Sequence, residues 1–470
     1  MNSKWLKFAP WLPAVAAVMA LAALSIWWTG GVDSGVVKRI PGTDAPPGVD
    51  ATALVNPAQT GKVTPGAGQA ATNLPGAWAQ FRGPTRGGAN SDPAPLARSW
   101  PAGGPPKLWS ATVGEGYAGP AIEAGRVFLM DYDREAKQSV LRCLSLADGA
   151  EIWRYAYPLT IKRNHGMTRT TPALAGGRVV AVDSKCNVLC CDAATGQFHW
   201  AINLVREFGT KIPEWYAGQC PLIIGNTVIL APSGPDALLL AVDLEAGRPL
   251  WQTPNARDWK MTHSSVMPMK FGGHDAYLYC GSGGVAGMSA TNGALLWDTT
   301  DWKISIACVP SPVVLPGGRI FLSGGYNAGS LMLQVSEDGG KLAAKTLFRL
   351  PAEKFGATQQ TPILRGEHLY GVRPDGQFVC LDFQGKVVWA SGPSQTYGLG
   401  SYLMAGDLIF AVNDTAKLSL LEASPARFNL LAQTQVVPEA RESWGPMALA
   451  GNRLLVRDFT HLVCLDVGAK

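Results

Sequence analysis

Residues 188–200 read VLCCDAATGQFHW: an apolar run, a polar turn, and a second run that ends on a large aromatic. The apolar residues 188–191 suit a buried strand. Asp192 can accept a hydrogen bond from backbone two residues on and so start a turn. Gly196 supplies the positive φ that a short hairpin loop needs. The unit recurs as LSLADGAEIW, AVDLEAGRPLW, MSATNGALLW and CLDFQGKVVW, with the tryptophan four residues after a glycine each time. Two copies are degraded, ending at Phe348 and Leu431, and PKLW puts Trp109 at the head of the series. The markers Trp109, Trp153, Trp200, Trp251, Trp297, Phe348, Trp389 and Leu431 step by 41 to 51 residues.

A second marker keeps the same period. Pro120, Pro172, Pro221, Pro268, Pro312, Pro362 and Pro446 each open a short apolar run, and Tyr402 fills the missing place. A glycine turn and a β-branched strand follow, then the unit above, making four short strands per period. A repeat of roughly 40–50 residues with four strands predicts a β-propeller, here of eight four-stranded antiparallel blades. Blades radiate from an axis, so the gap between neighbours widens outward, and a large aromatic on the outer strand fills it. The tryptophan series is therefore read as core and not as a ligand-stacking surface. After Leu431 only three strands remain, and the strand around Trp109 has no three before it. Those two halves should complete one blade and leave no open edge.

Composition narrows the function. The 470 residues can bury a large core; charged residues are 16% and glycines number 54, which suits short strands and tight turns. A net charge of +5 spread along the chain gives no basic patch for nucleic acid.

Lys4 and Lys7 precede residues 8–28, which carry no charge. That run is long enough to span a bilayer, and tryptophans flank it at 5, 11, 27 and 28. The basic residues predict a cytoplasmic N-terminus, with residues 1–28 an uncleaved signal anchor in the bacterial inner membrane and the propeller in the periplasm; a cleaved signal peptide is the rival. Residues 29–76, rich in Gly, Pro, Ala and Thr, are expected to be a flexible linker. Order is expected from Trp78, with residues 77–470 forming the propeller. The opening WAQFRGPTRGG reads as a strap across it, with Arg82 or Arg86 touching a ligand as the alternative.

The repeat Asp-Ala-Ala-Thr-Gly-x-x-x-Trp resembles the quinoprotein, or PQQ-like, propeller repeat, and WAQFRGPTRGG followed by PKLW resembles membrane-tethered or exported bacterial members of that family. The resemblance covers residues 78–470. It implies eight blades but not an activity. The family includes pyrroloquinoline quinone (PQQ) dehydrogenases and non-catalytic scaffolds such as the lipoprotein of the outer-membrane assembly machinery.

Nine cysteines are present, of which Cys143, Cys190, Cys380 and Cys464 share one repeat position. Equivalent positions in different blades lie far apart, so they read as small buried hydrophobes. Cys190 and Cys191 resemble the vicinal disulfide of some PQQ dehydrogenases, but adjacent residues of a strand point to opposite faces. No spacing suggests covalent haem or zinc.

Propeller ligands sit where loops gather around the axis. The loops before the proline markers offer Asn164, His165, Arg169, Trp215, Tyr216, His263, Gln359, Gln360, Tyr397, Arg441 and Trp444. Turns within blades add Asp183, Arg373, Asp414 and Asp458. Oxidation through PQQ with Ca²⁺ would need a carboxylate-rich cation site and a carboxylate base. The loop acids Glu214, Asp258, Asp301, Glu353, Glu439 and Glu442 are scattered among Lys211, Lys354 and Arg441 or sit in a repeated Asp-Trp-Lys loop. The reading is therefore a binding or scaffold module without cofactor or metal, for an extracytoplasmic protein or a small anionic ligand. A PQQ-dependent alcohol or sugar dehydrogenase is the alternative.

Overall fold

The computed structural model describes residues 12–29, 55–90, 94–304 and 306–469. Leu12–Thr29 is a helix without a charged residue, and its Val18, Met19 and Ile26 are exposed. No helix among the described residues is long and apolar enough to cross a membrane. Residues 8–11 of the expected span, and residues 30–54 of the expected linker, lie outside the described residues.

The strands of the remaining described residues form eight sheets, each built on an antiparallel four-stranded blade. Seven blades span residues 121–158, 173–203, 222–253, 267–299, 313–350, 363–390 and 402–435. The eighth joins Ala448–Ala450, Arg453–Arg457 and His461–Asp466 to Lys107–Thr112, which pairs with His461–Asp466 as the outer strand. The ring closes as the sequence predicts. At five of the eight junctions the first strands of neighbouring blades touch, which places them around the axis.

The repeat unit explains how one blade holds the next. In the second blade Asp192 Oδ1 accepts from the backbone of Ala194 (3.0 Å) and Thr195 (2.8 Å), and Gly196 takes φ +75°. That glycine faces the previous blade: a Cβ on it would stand 2.7 Å from the Trp153 ring. The same seat recurs between Trp109 and Gly149, Trp200 and Gly247, and Trp251 and Gly293. Four of the indole N–H groups also find a carbonyl in the next blade's turn, Trp109 on Leu146 (3.0 Å), Trp153 on Ala193 (3.3 Å), Trp200 on Leu244 (2.8 Å) and Trp389 on Ser424 (2.9 Å). Trp109, Trp153, Trp200 and Trp297 are buried, while Trp251 and Trp389 are half-buried. In the degraded fifth blade Phe348 and Leu350 press on Gly385 instead. All nine cysteines are free and buried. Cys190 packs with Trp200, and Cys191 belongs to the core on the other face of the sheet.

The chain is ordered upstream of Trp78, where a flexible linker is expected. Ala58 is buried and its carbonyl accepts from Tyr155 Oη (2.7 Å). Lys62–Pro65 then adds a fifth strand to the open edge of the first blade, pairing with Glu151–Pro158. All four of its side chains are exposed, so it attaches through main-chain hydrogen bonds and has no hydrophobic period to read. Gly66 and Gly68 continue along the same edge, donating to Ile152 O and Glu151 O (both 2.8 Å). A Cβ on Gly66 would stand 1.9 Å from Glu151 O, so that approach requires glycine.

Gly196 and Gly177 separate backbone strain from the tryptophan seat. Both have φ +75°, but nothing lies within 4 Å of a Cβ on Gly177. Gly177→Ala should cost about 1–2 kcal/mol, the left-handed penalty alone. Gly196→Ala should cost about 1–3 kcal/mol more, because its methyl meets the Trp153 ring. Chemical unfolding of the two variants measures the difference.

Candidate functional site

Residues 78–90 run through the ring rather than over it. Trp78 bridges Ile122 of the first blade, and Ala79 O accepts from Leu174 of the second (2.8 Å). Arg86 donates to Pro221 O (2.8 Å) and Cys220 O (3.2 Å) at the start of the third blade. Arg82 donates to Thr361 O (2.8 Å) and Pro362 O (3.0 Å) at the start of the sixth. Ala89–Asn90 then pairs in parallel with Tyr402–Ala405 of the seventh. The segment is thus a plug tied to the axial strands of five blades. Both guanidinium groups are buried among carbonyls, and burial pulls each pKa down to about 10. Arg82 and Arg86 are therefore structural ties.

Beyond the plug lies a cavity of about 350 Å³. Phe81 of the plug and Pro446 contribute to its lining. Every inter-blade connection supplies at least one lining residue, because the loops before the axial strands converge on the axis. Of the residues singled out from sequence, the cavity gathers His165, Arg169, Trp215, His263, Gln359 and Trp444. Gln360 lines an adjoining pocket of about 60 Å³ and donates to Gly398 O (3.1 Å) and Gly400 O (2.9 Å).

Six others do not line it. Asn164 ties two loops by donating to Glu214 O (2.6 Å). Asp183 is buried in its turn, accepting from Tyr157 Oη (2.9 Å), Asn187 Nδ2 (2.7 Å) and two backbone N–H groups; burial is the main cause of its raised pKa. Tyr216 bonds Lys162 O through its hydroxyl (2.7 Å). Arg373 pairs with Asp375 (2.7 Å) in a surface turn. Tyr397 is buried edge-on against Phe378. Arg441 is exposed. Polar residues in these loops brace one another as often as they face the axis, a difference that residue type does not reveal. Of the two remaining turn acids, Asp458 is buried in its own turn, accepting from Thr460 N (2.9 Å), and Asp414 takes the Trp444 indole N–H (2.7 Å).

Tyr117 and Tyr326 also line the cavity and were missed. Tyr117 lies three residues before Pro120, so the same marker rule would have found it. Tyr326 lies in a turn of the fifth blade, with φ +55°, and carries no such signal. Tyr117 stacks on Trp444 (centroids 5.3 Å apart) and hydrogen-bonds Glu442, and burial is the main cause of its raised pKa.

Among the described residues, none that lines the cavity is acidic. Glu442 and Asp414 are engaged by Tyr117 and Trp444. Arg169 holds the positive charge of the cavity, donating to Asn164 O (2.8 Å) and Gly166 O (3.3 Å) and lying 5.6 Å over the Tyr117 ring. Burial lowers its pKa to about 10, so it stays charged near neutrality. His263 pairs its Nε2 with Tyr216 O at 2.9 Å; a carbonyl only accepts, so Nε2 carries the proton and Nδ1 is left as an acceptor. Burial first, and the Arg169 charge second, push the His263 pKa down to about 4.

The unfolded chain protonates His263 near pH 6.5, the folded one only near pH 4. Its contribution to stability is therefore complete above pH 6.5 and falls away as the pH drops towards 4. Wild-type protein should lose on the order of 2 kcal/mol more than His263→Gln between pH 7 and pH 4. Unfolding titrations of both across that range check it.

Comparison with known proteins fits this architecture. A family described as outer membrane protein assembly factor BamB matches residues 136–391, more than half of the chain. The outer membrane protein assembly factor BamB of Shewanella oneidensis is 23% identical over 264 residues, which are 53% of this chain and 63% of that protein. The chain thus spans less than two thirds of that relative's length. The crystal structure of BamB from Moraxella catarrhalis superposes with a TM-score of 0.53 at 14% identity, covering 77% of this chain and 99% of that one. The computationally designed Ika8 protein gives 0.51 at 11% identity, covering 76% and 99%. At such identities the structures speak for the fold alone. With the eight-bladed ring, the repeat and the family match together, this chain belongs to the BamB family of PQQ-like β-propellers.

Proposed function

We propose that the protein is an extracytoplasmic scaffold that binds protein partners in the assembly of outer membrane proteins. In this reading the apolar segment at residues 8–28 anchors it in the cytoplasmic membrane and the propeller stands in the periplasm. The observation that carries the non-catalytic reading is the donor set of the axial cavity. Ca²⁺ requires six to eight oxygen ligands, usually with carboxylates among them. The cavity offers glutamine and tyrosine oxygens, one arginine charge and no acid. A general base for alcohol oxidation would also have to be a carboxylate or a basic histidine within reach. Glu442 is turned to Tyr117, His263 is a weak base at pKa about 4, and His165 stands at the exposed rim. These residues do not fit PQQ held by a calcium ion. A ring closed at all eight blades and plugged by its own N-terminal segment is instead a rigid platform whose loops can carry a partner.

The test has two arms. Full-length protein supplied with PQQ and Ca²⁺ should give no dye-linked oxidation of alcohols or sugars. Cross-linking in the envelope of its own host should join it to the machinery that inserts outer-membrane β-barrels, and its removal should lower their abundance. Metal-dependent turnover abolished by Glu442→Gln would overturn the reading, as would unchanged β-barrel levels with no cross-linked partner.

A further inference from the structure

A platform role gives the axial cavity no occupant, yet the cavity has the composition of a ligand site. Arg169 is the arginine of its lining, and His263 beside it is held neutral. Among the described residues no carboxylate forms an ion pair with that guanidinium. Its two recorded hydrogen bonds go to carbonyls, and a guanidinium has five N–H donors. The nearby acids are engaged elsewhere: Glu442 by Tyr117, Asp414 by Trp444, and Glu115 by Arg163 at 2.6 Å. Arg169 is half-buried, and a partly desolvated charge without a counter-ion is costly, a cost that a bound anion offsets. Burial has already brought the arginine pKa down to about 10.

Most of the remaining lining is aromatic or apolar: Phe81, Tyr117, Trp215, Tyr326 and Trp444 with aliphatic residues between them, while His165, His263 and Gln359 are the other polar side chains. A volume of about 350 Å³ falls at the small end of the range for small-molecule sites, roughly 300–1,000 Å³. The side opposite the plug is open, since His165 and Tyr326 of the lining are exposed. One charge in aromatic walls matches one negative charge on a flat apolar body. It does not match a polyanion, for which a single guanidinium is too little. We propose that the axial cavity binds a small aromatic monocarboxylate, with Arg169 taking the carboxylate and the aromatic side chains enclosing the ring. The inference stands apart from the scaffold reading, because neither requires the other.

Full-length protein is titrated with 2-naphthoate, and separately with the neutral 2-naphthamide, by calorimetry and by tryptophan fluorescence. We expect saturable binding of one naphthoate per chain, about tenfold or more tighter than the amide, since a charge-assisted hydrogen bond distinguishes them. Arg169→Gln should remove about that factor for naphthoate and leave the amide unchanged, and Arg169→Lys should retain part of it. Should Arg169→Gln fail to fold, Tyr326→Ala at the exposed rim serves instead and should weaken both probes together. The proposal is overturned by equal affinity for the two probes, by naphthoate binding indifferent to Arg169 or, in the rim variant, to Tyr326, or by no saturable binding of naphthoate up to about 5 mM, beyond the weakest affinity a specific site would show. Dye-linked turnover is not measured here, so failure leaves the scaffold reading to its own test.

Discussion

The contact on which this molecule depends is the indole of one blade laid on the turn glycine of the next. Each glycine meets two demands at once. It takes a positive φ that closes its own hairpin, and it leaves room for a ring from the neighbouring blade. Trp153 on Gly196 and Trp200 on Gly247 show both, and the indole N–H then fixes the angle of approach through the turn carbonyl. An aromatic of this kind buries roughly 150–250 Å². The contact recurs at four junctions, and Phe348 with Leu350 on Gly385 takes its place at a fifth, so it joins most of the blades into one body that buries the apolar face each would expose alone.

Ring closure creates the axis, and the axis decides where function can sit. The first strands converge there with their connecting loops, so polar residues far apart in sequence are brought to one place. The plug then divides that place. On its own side Arg82 and Arg86 hold the blades together through carbonyls. On the other, Phe81 becomes part of the lining of a cavity in which, among the described residues, Arg169 stands with no acid. The loops set the donors of such a site and the blades only position them, so the fold by itself does not fix the chemistry.

Sequence legibility followed the physics of each feature. The blades were readable because burial imposes a period, and the split eighth blade was readable because it left three strands at one end and one at the other. Lys62–Pro65 was not, since an edge strand held by its main chain leaves no side-chain pattern. The plug was read as a strap because two arginines among glycines do not reveal that carbonyls receive both. At the cavity, His263 and Arg169 could be picked out by type and position. Asn164 and Tyr216 looked the same in sequence, yet they brace neighbouring loops. Tyr326 lies off the marker pattern, in a turn inside a blade.

The most direct test of the interlocking seat is a double-mutant cycle between Trp200 and Gly247, where a Cβ on the glycine would stand 2.4 Å from the ring. Trp200→Leu, Gly247→Ala and the double variant are unfolded in urea and compared with wild type. If the indole rests on the glycine, the alanine methyl is harmful mainly while the indole is present. The double variant should then lose less than the sum of the single losses, by about 1 kcal/mol or more. Additivity within about 0.5 kcal/mol would mean that the two residues do not share a seat.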